Sequence, residues 1–337
     1  MLYHHIARAL CIATLAAPII ADACSVAFWN NNDKAKVVAR SMDLYMSDMP
    51  LLQVNPAGIQ RKSTVGTIPL TWTSRYGSVV VTAFHTDSAS DGMNEHGLNA
   101  HLLYLDGSKY PDENPKMPTL SNAQWAQYIL DNFKTVKEAL ASMELYQIQA
   151  SEVHGKKWPI HIAIEDPSGD SAIIEFIDGK ALVHHGKEFN TMTNEPAYNI
   201  QLENLKKYKL FGGTLAMPGD VDPLSRFVRI ASYLKTLPKP ANYIDAIAGA
   251  LSVMRTAMVP FGAEDTSGNE TTDAWPTRWI TLSDLTQKIF YFSSTTAPNI
   301  VWIDFKNVNL TKKGKTLMVD PTNIELVGEI SAKLKPQ

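Results

Sequence analysis

Two hydrophobic periods divide the chain. "CSVAFWN" (24–30) and "AKVVARSMDLYM" (35–46) are rich in β-forming residues and flank the polar cluster "NNNDK" (30–34). This hairpin pattern predicts two neighbouring strands. "GSVVVTAFHT" (77–86) predicts another strand, and "MNEHGLNAHLLYL" (93–105) a turn and then a strand. Helical spacing follows in "SNAQWAQYILDNF" (121–133), with Ser121 as N-cap, and in "TVKEALASMELY" (135–146). The latter opens on Thr135 with Glu138 three residues on, a capping box. "IHIAIED" (160–166), "SAIIEFI" (171–177) and "ALVHH" (181–185) are strands separated by "PSG" and "DG" turns. Three helices are then expected over 199–209, 222–237 and 241–258, the second with Pro223 in its first turn. "WITLSDLTQKIFYFSS" (279–294) and "NIVWIDFKNV" (299–308) return to strands. Strands and helices in blocks, without strict alternation, predict an α+β fold with helices stacked outside sheets.

The first residues obey another pattern. Arg8 precedes the apolar run "ALCIATLAAPIIA" (9–21), and Ala21 and Ala23 set a small-x-small site before Cys24. The run is too short to span a bilayer comfortably and reads as a signal peptide over 1–23, cut before Cys24. Ala21 and Asp22 stand where a lipoprotein signal wants an aliphatic residue and no acid. One domain, 24–337, remains. Cys11 leaves with the signal, so Cys24 is the only cysteine of the mature chain and has no internal disulfide partner.

With 337 residues, 45% of them apolar and 19% charged, the chain can bury a large core. A net charge of −3 lacks the basic footprint of a nucleic-acid binder, and no further apolar run is long enough for a membrane span. Zinc-type spacing is absent and "GGTLAMPGD" is not a phosphate loop. No metal or other cofactor is expected.

A mature chain beginning at Cys24 would carry an α-amine and a thiol on one residue. Their ordinary pKa values, about 7.7–8.0 and about 8.5, allow the amine to take the thiol proton near neutral pH. Arg40 and Asp43 lie on the second strand of the opening hairpin, where Arg40 can stabilise a thiolate and Asp43 an ammonium. Their spacing of three puts them on opposite faces of a regular strand. A bulge or strand end near Ser41–Met42 is therefore expected if both serve one site.

An N-terminal Cys, "ARSMD" (39–43), "NEHGL" (94–98), "TNEP" (193–196) and "PGDVDPLSRFVR" (218–229) occur in this order. With them the mature chain resembles the choloylglycine hydrolase family of N-terminal-nucleophile amidases, which includes bile salt hydrolases and penicillin V acylases. The resemblance implies an αββα four-layer sandwich and hydrolysis of a linear amide without a cofactor. It implies Cys24 as nucleophile and base, Arg40 and Asp43 as its support, Asn194 as an oxyanion donor and Arg226 as part of the polar site. Tyr104, ten residues after Asn94, stands where bile salt hydrolases usually have Asn and penicillin V acylases Tyr. Its N–H would be the second oxyanion donor and its ring would line the acyl pocket, with Met46 and Tyr110 nearby.

The short connection between "TNEP" and "PGD", together with the signal peptide, resembles the Gram-negative branch, which implies a periplasmic enzyme. The family's tetramer is the implied homo-oligomer, although the segment used for its assembly in Gram-positive members is shortened here. The substrate expected is a small acyl amide of penicillin V type, with N-acyl homoserine lactones as a natural candidate and conjugated bile salts as the alternative. A non-catalytic periplasmic binding protein is the reading from another class.

Overall fold

Every residue of β1 (Ser25–Trp29) and of β2 (Val37–Asp43) is buried, because both faces of their sheet are covered. The computed structural model describes residues 24–84, 86, 88–153, 156–265, 272–273 and 275–337. The segment 1–23, read above as a signal peptide, lies outside them. β1 and β2 pair antiparallel, Ser25 opposite Ser41, as the hairpin pattern predicts. Their sheet runs Thr191–Thr193, β1, β2, Thr277–Asp284, Ile289–Ser294, Ile300–Asp304, Gly328–Glu329. A second sheet has nine strands. Its centre is Ile160–Glu165, Asn99–Tyr104, Ala89–Asn94, Ser78–Thr82 and Leu51–Asn55, in that spatial order. Apart from one parallel pair in the first sheet, neighbours in both are antiparallel.

Alternation along the strands then builds three cores. Val26, Phe28 and Val38 of the first sheet meet Val54, Val79 and Met93 of the second. On the outside of the second sheet, Val80, Ala100 and Ile162 pack on α1 (Trp125–Asn132) and α2 (Val136–Ala141). On the outside of the first, Ala27, Trp29 and Ala39 pack on α4 (Pro223–Thr236) and α5 (Tyr243–Arg255), while Tyr198 of α3 (Tyr198–Leu205) joins the inter-sheet core. The layers are helix, sheet, sheet, helix, the αββα sandwich expected. A polar bridge also crosses between the sheets. Thr281 of the first donates to Asp91 of the second, and Asp91 lies 2.6 Å from His101 Nδ1, whose Nε2 is 3.2 Å from Glu165. Burial favours the neutral ring, but the two carboxylates together push His101 up to about 9.

Helix ends follow local chemistry. Asp222 accepts from the Ser225 N–H at 3.0 Å ahead of Pro223, and Asn242 accepts from the Asp245 N–H at 2.9 Å. The capping box at Thr135 is half made: Thr135 accepts from Glu138 N–H, but the Glu138 carboxylate reaches the Lys134 N–H. Ser121 precedes a 3₁₀ turn, Asn122–Gln124, but its side chain makes no capping bond. It closes the strand Thr119–Ser121, and α1 begins only at Trp125. The helix expected over 199–209 stops at Leu205 and that over 135–146 at Ala141. Both polar stretches are followed by short 3₁₀ turns.

α5 approaches β1 closely because Gly249 has no side chain. A Cβ there would lie 2.6 Å from Trp29 Cζ3. Gly249→Val should cost about 1–3 kcal/mol through overpacking, seen as a lower urea midpoint at unchanged m-value.

Candidate active site

The residue before β1 stands where the inter-sheet space opens into a cavity of about 130 Å³. Period-two alternation gives Cys24, Arg40 and Met42 one face and Ser25, Ser41 and Asp43 the other. On the inter-sheet face, Cys24 Sγ lies 3.9 Å from Met42 Sδ and 3.8 Å from the Asp43 carbonyl. Arg40 is buried beside them. Its Nη2 donates to the Leu102 carbonyl at 3.1 Å and approaches Met42 Sδ at 3.6 Å, and its guanidinium stacks 4.5 Å from the Trp279 ring.

On the helix face, Arg226 reaches in from the first turn of α4. Nη1 donates to the Cys24 carbonyl at 2.9 Å and to Ser25 Oγ at 2.6 Å, and lies 3.6 Å from Asp43 Oδ2. Ser41 Oγ donates to the same carboxylate oxygen at 3.2 Å. Asn194, just after the Thr191–Thr193 strand that flanks β1, closes the cluster. Its Oδ1 accepts from the Cys24 nitrogen and, at 3.5 Å, from Arg226 Nη2, while its Nδ2 donates to the Tyr104 carbonyl at 2.7 Å. These contacts bring Cys24, Arg40, Asp43, Asn194, Arg226 and Tyr104 together from five segments of the chain.

Of the bulge or strand end expected near Ser41–Met42, the structure shows the strand end, one residue further on. Asp43 ends β2, and the bulge lies opposite it, between Thr277 and Trp279 of the neighbouring strand. The two side chains stay on opposite faces, Arg40 beside the thiol and Asp43 beside Arg226, and both border the cavity.

Burial dominates the electrostatics. It pushes the Cys24 thiol up to about 11, against the opposing pull of the Arg40 charge. It pushes Asp43 up to about 7, with the Arg226 guanidinium opposing. With its nitrogen in a peptide bond, Cys24 is held as the neutral thiol at pH 7 by burial.

The cavity walls are aromatic. The Tyr104 ring lies 6.0 Å from Trp158 and 6.3 Å from Trp275, and Phe84 lies 5.9 Å from Trp158. Two expected pocket residues are elsewhere. Met46 is outside the lining, with 43% of its surface exposed. Tyr110 turns away to the second sheet, where its hydroxyl donates to the Ile160 carbonyl at 2.7 Å and accepts from Asn122 at 3.0 Å. Met42, on the thiol face two residues after Arg40, was legible from strand alternation. Trp158 and Trp275 sit in irregular segments with no periodic signal. Among the described residues no group of three or more His, Cys, Asp or Glu could hold a metal ion, and no helix is long and apolar enough to cross a membrane.

The sequence profile of the linear amide C-N hydrolases, choloylglycine hydrolase family, matches residues 24–323. The chain belongs to the choloylglycine hydrolase family. It is 35% identical to a penicillin V acylase of Pectobacterium atrosepticum over 97% of this chain and 95% of that protein. It is 26% identical to a bile salt hydrolase/transferase of Clostridium perfringens, over 69% of this chain and 80% of that one. The solved structure of a penicillin V acylase from Agrobacterium tumefaciens superposes with a TM-score of 0.82 at 38% identity, covering 93% of this chain and 97% of that one. The fold also matches a conjugated bile acid hydrolase from Clostridium perfringens, with a TM-score of 0.74 over 90% of this chain and 98% of that one at 20% identity. As a choloylglycine hydrolase family member the chain is an enzyme that hydrolyses linear amide C–N bonds, which sets aside the ligand-binding alternative.

In this family member Arg226 is the buried cation that joins α4 to the start of β1. Arg226→Met leaves Asp43 without its closest cation and should cost about 3–5 kcal/mol in urea unfolding. Adding Asp43→Asn should recover part of that loss. Alkylation of Cys24 by iodoacetamide in the uncut chain should be slow at pH 7 and rise about tenfold per pH unit toward the thiol pKa of about 11.

Proposed function

We propose that residues 1–23 direct export to the periplasm, and that cleavage before Cys24 converts this amide hydrolase into its active form, a penicillin V acylase-type enzyme. The observation that carries the reading is the placement of Cys24. Its nitrogen meets Asn194 Oδ1 in a cluster with Arg226 and Asp43, while its thiol borders the cavity. The family match beginning at residue 24 supports it.

A freed amine would give the site what the uncut chain lacks, a base beside the thiol. The amine takes the Sγ proton and the thiolate attacks the amide carbonyl. The resulting ammonium gives its proton to the leaving nitrogen, so the amine product departs and a thioester remains. Water, deprotonated by the same amine, then attacks the thioester and releases the acid and the thiol. Asp43 offsets the ammonium, and Arg40, on the thiol face, favours the thiolate. The Asn194 Nδ2 donor, now on the Tyr104 carbonyl at 2.7 Å, is the group that a substrate oxyanion would engage.

Tyr104, Trp158 and Trp275 make walls suited to a flat aryl group or a slender acyl chain. That favours phenoxyacetyl amides, with long-chain N-acyl homoserine lactones as a natural candidate, over the fused rings of a conjugated bile salt.

Purified mature protein should have the mass of 24–337 and should turn over penicillin V faster than penicillin G or glycocholate, with long-chain acyl homoserine lactones also cleaved. Cys24→Ala should lower turnover by about a thousandfold or more. An active enzyme whose mass includes residues before Cys24, or full activity in Cys24→Ala, would overturn the mechanism. Preference for glycocholate would overturn the substrate assignment.

A further inference from the structure

The aromatic wall of the cavity is held by a residue outside it. Arg278 occupies the bulge between Thr277 and Trp279, where the ladder to β2 loses register. Its guanidinium crosses to the segment that leaves β2. Nε donates to the Leu44 carbonyl at 2.7 Å and Nη2 to the Tyr45 carbonyl at 2.5 Å, and the exposed Phe261 ring lies over it at 5.4 Å. The Leu44 N–H is tied to the Pro276 carbonyl at 3.1 Å. Tyr45, so fixed, packs its ring 5.2 Å from Trp275, and Leu44 and Trp275 both border the cavity. Two parallel donors from one planar fork fix orientation as well as position, which an ammonium cannot reproduce.

We infer that Arg278 is a positioning residue for specificity: by clamping Leu44 and Tyr45 it sets the place of Trp275 and so the width of the acyl cavity. The inference rests on the reading of that cavity as the acyl site. Arg278 borders neither the thiol nor the Asn194 cluster, so its loss should change which acyl group fits more than it changes the chemistry.

The test compares N-phenoxyacetyl and N-acetyl p-nitroanilides, which share a leaving amine. In Arg278→Met, KM for the phenoxyacetyl substrate should rise about tenfold while kcat falls less than about threefold, and kcat/KM for the acetyl substrate should move less than about threefold. Arg278→Lys keeps the charge without the fork and should show the same pattern at smaller amplitude. It serves as the variant of record if Arg278→Met does not fold. An equal loss on both substrates, a fall in kcat at constant KM, or no change would overturn the inference.

A second arm needs no turnover. Acrylamide quenching of Trp275, taken as the difference between proteins with Trp275 and with Trp275→Phe, should increase about twofold in either Arg278 variant, and phenoxyacetate should protect it less than in the parent. If the parent hydrolyses neither anilide, the functional reading fails and this arm alone decides: raised Trp275 accessibility upholds the clamp, and unchanged accessibility overturns it.

Discussion

Arg226 is the charge on which the site depends. It is fully buried, and burial holds its pKa below the ordinary guanidinium value against the pull of Asp43. A cation so placed has to be surrounded by acceptors. Its acceptors include the Val221 carbonyl at Nε, the Cys24 carbonyl, Ser25 Oγ, Asn194 Oδ1 and the Asp43 carboxylate. Satisfying one guanidinium therefore draws α4, β1, the end of β2 and the Asn194 turn to one point. The Cys24 nitrogen is fixed by the same set, because Asn194 Oδ1 accepts from it as well.

The four-layer arrangement gives that point two distinct sides. Alternation in β1 and β2 sends Cys24, Arg40 and Met42 into the inter-sheet space and Ser25, Ser41 and Asp43 toward α4. The side chains of Arg40 and Met42 and those of Ser41 and Asp43 thereby lie on opposite faces of one sheet, and Asn194, on the Cys24 nitrogen, also reaches the Tyr104 carbonyl of the second sheet. Each is buried, so charges interact strongly but are also costly to create. The thiol displaced to about 11 and Asp43 to about 7 both express that cost. The ammonium proposed for Cys24 would lower it for both anions.

The inter-sheet space is closed elsewhere by apolar packing and by the Thr281–Asp91–His101–Glu165 bridge. Among the described residues the cavity beside Cys24 opens where strand register fails on both sides: β2 ends at Asp43 with its neighbour bulging at Arg278, and in the second sheet the register shifts between Val81 and Thr82. The irregularity that lets the chain leave the sheet beside Cys24 also provides the cavity and, through Arg278, one of its walls.

Much of this was legible in the residues. The opening hairpin, the antiparallel run 160–185 and the helices at Pro223 and Asn242 follow from period, turn chemistry and caps, which are local. Cys24, Arg40, Asp43, Asn194, Arg226 and Tyr104 could be picked out by residue type and motif order, and the structure brings all six together. What local signals could not supply was direction across the sheet and the paths of irregular segments. The bulge belongs to the partner strand, a matter of register between residues over two hundred positions apart. Trp158 and Trp275 reach the cavity from loops without periodicity, and Met46 and Tyr110 miss it because their segments turn aside. Sequence by itself determined the elements and the candidate residues, since propensity and chemistry reside in each side chain. The tertiary structure decided which face each group occupies and where the cavity opens, because those depend on long-range register and packing.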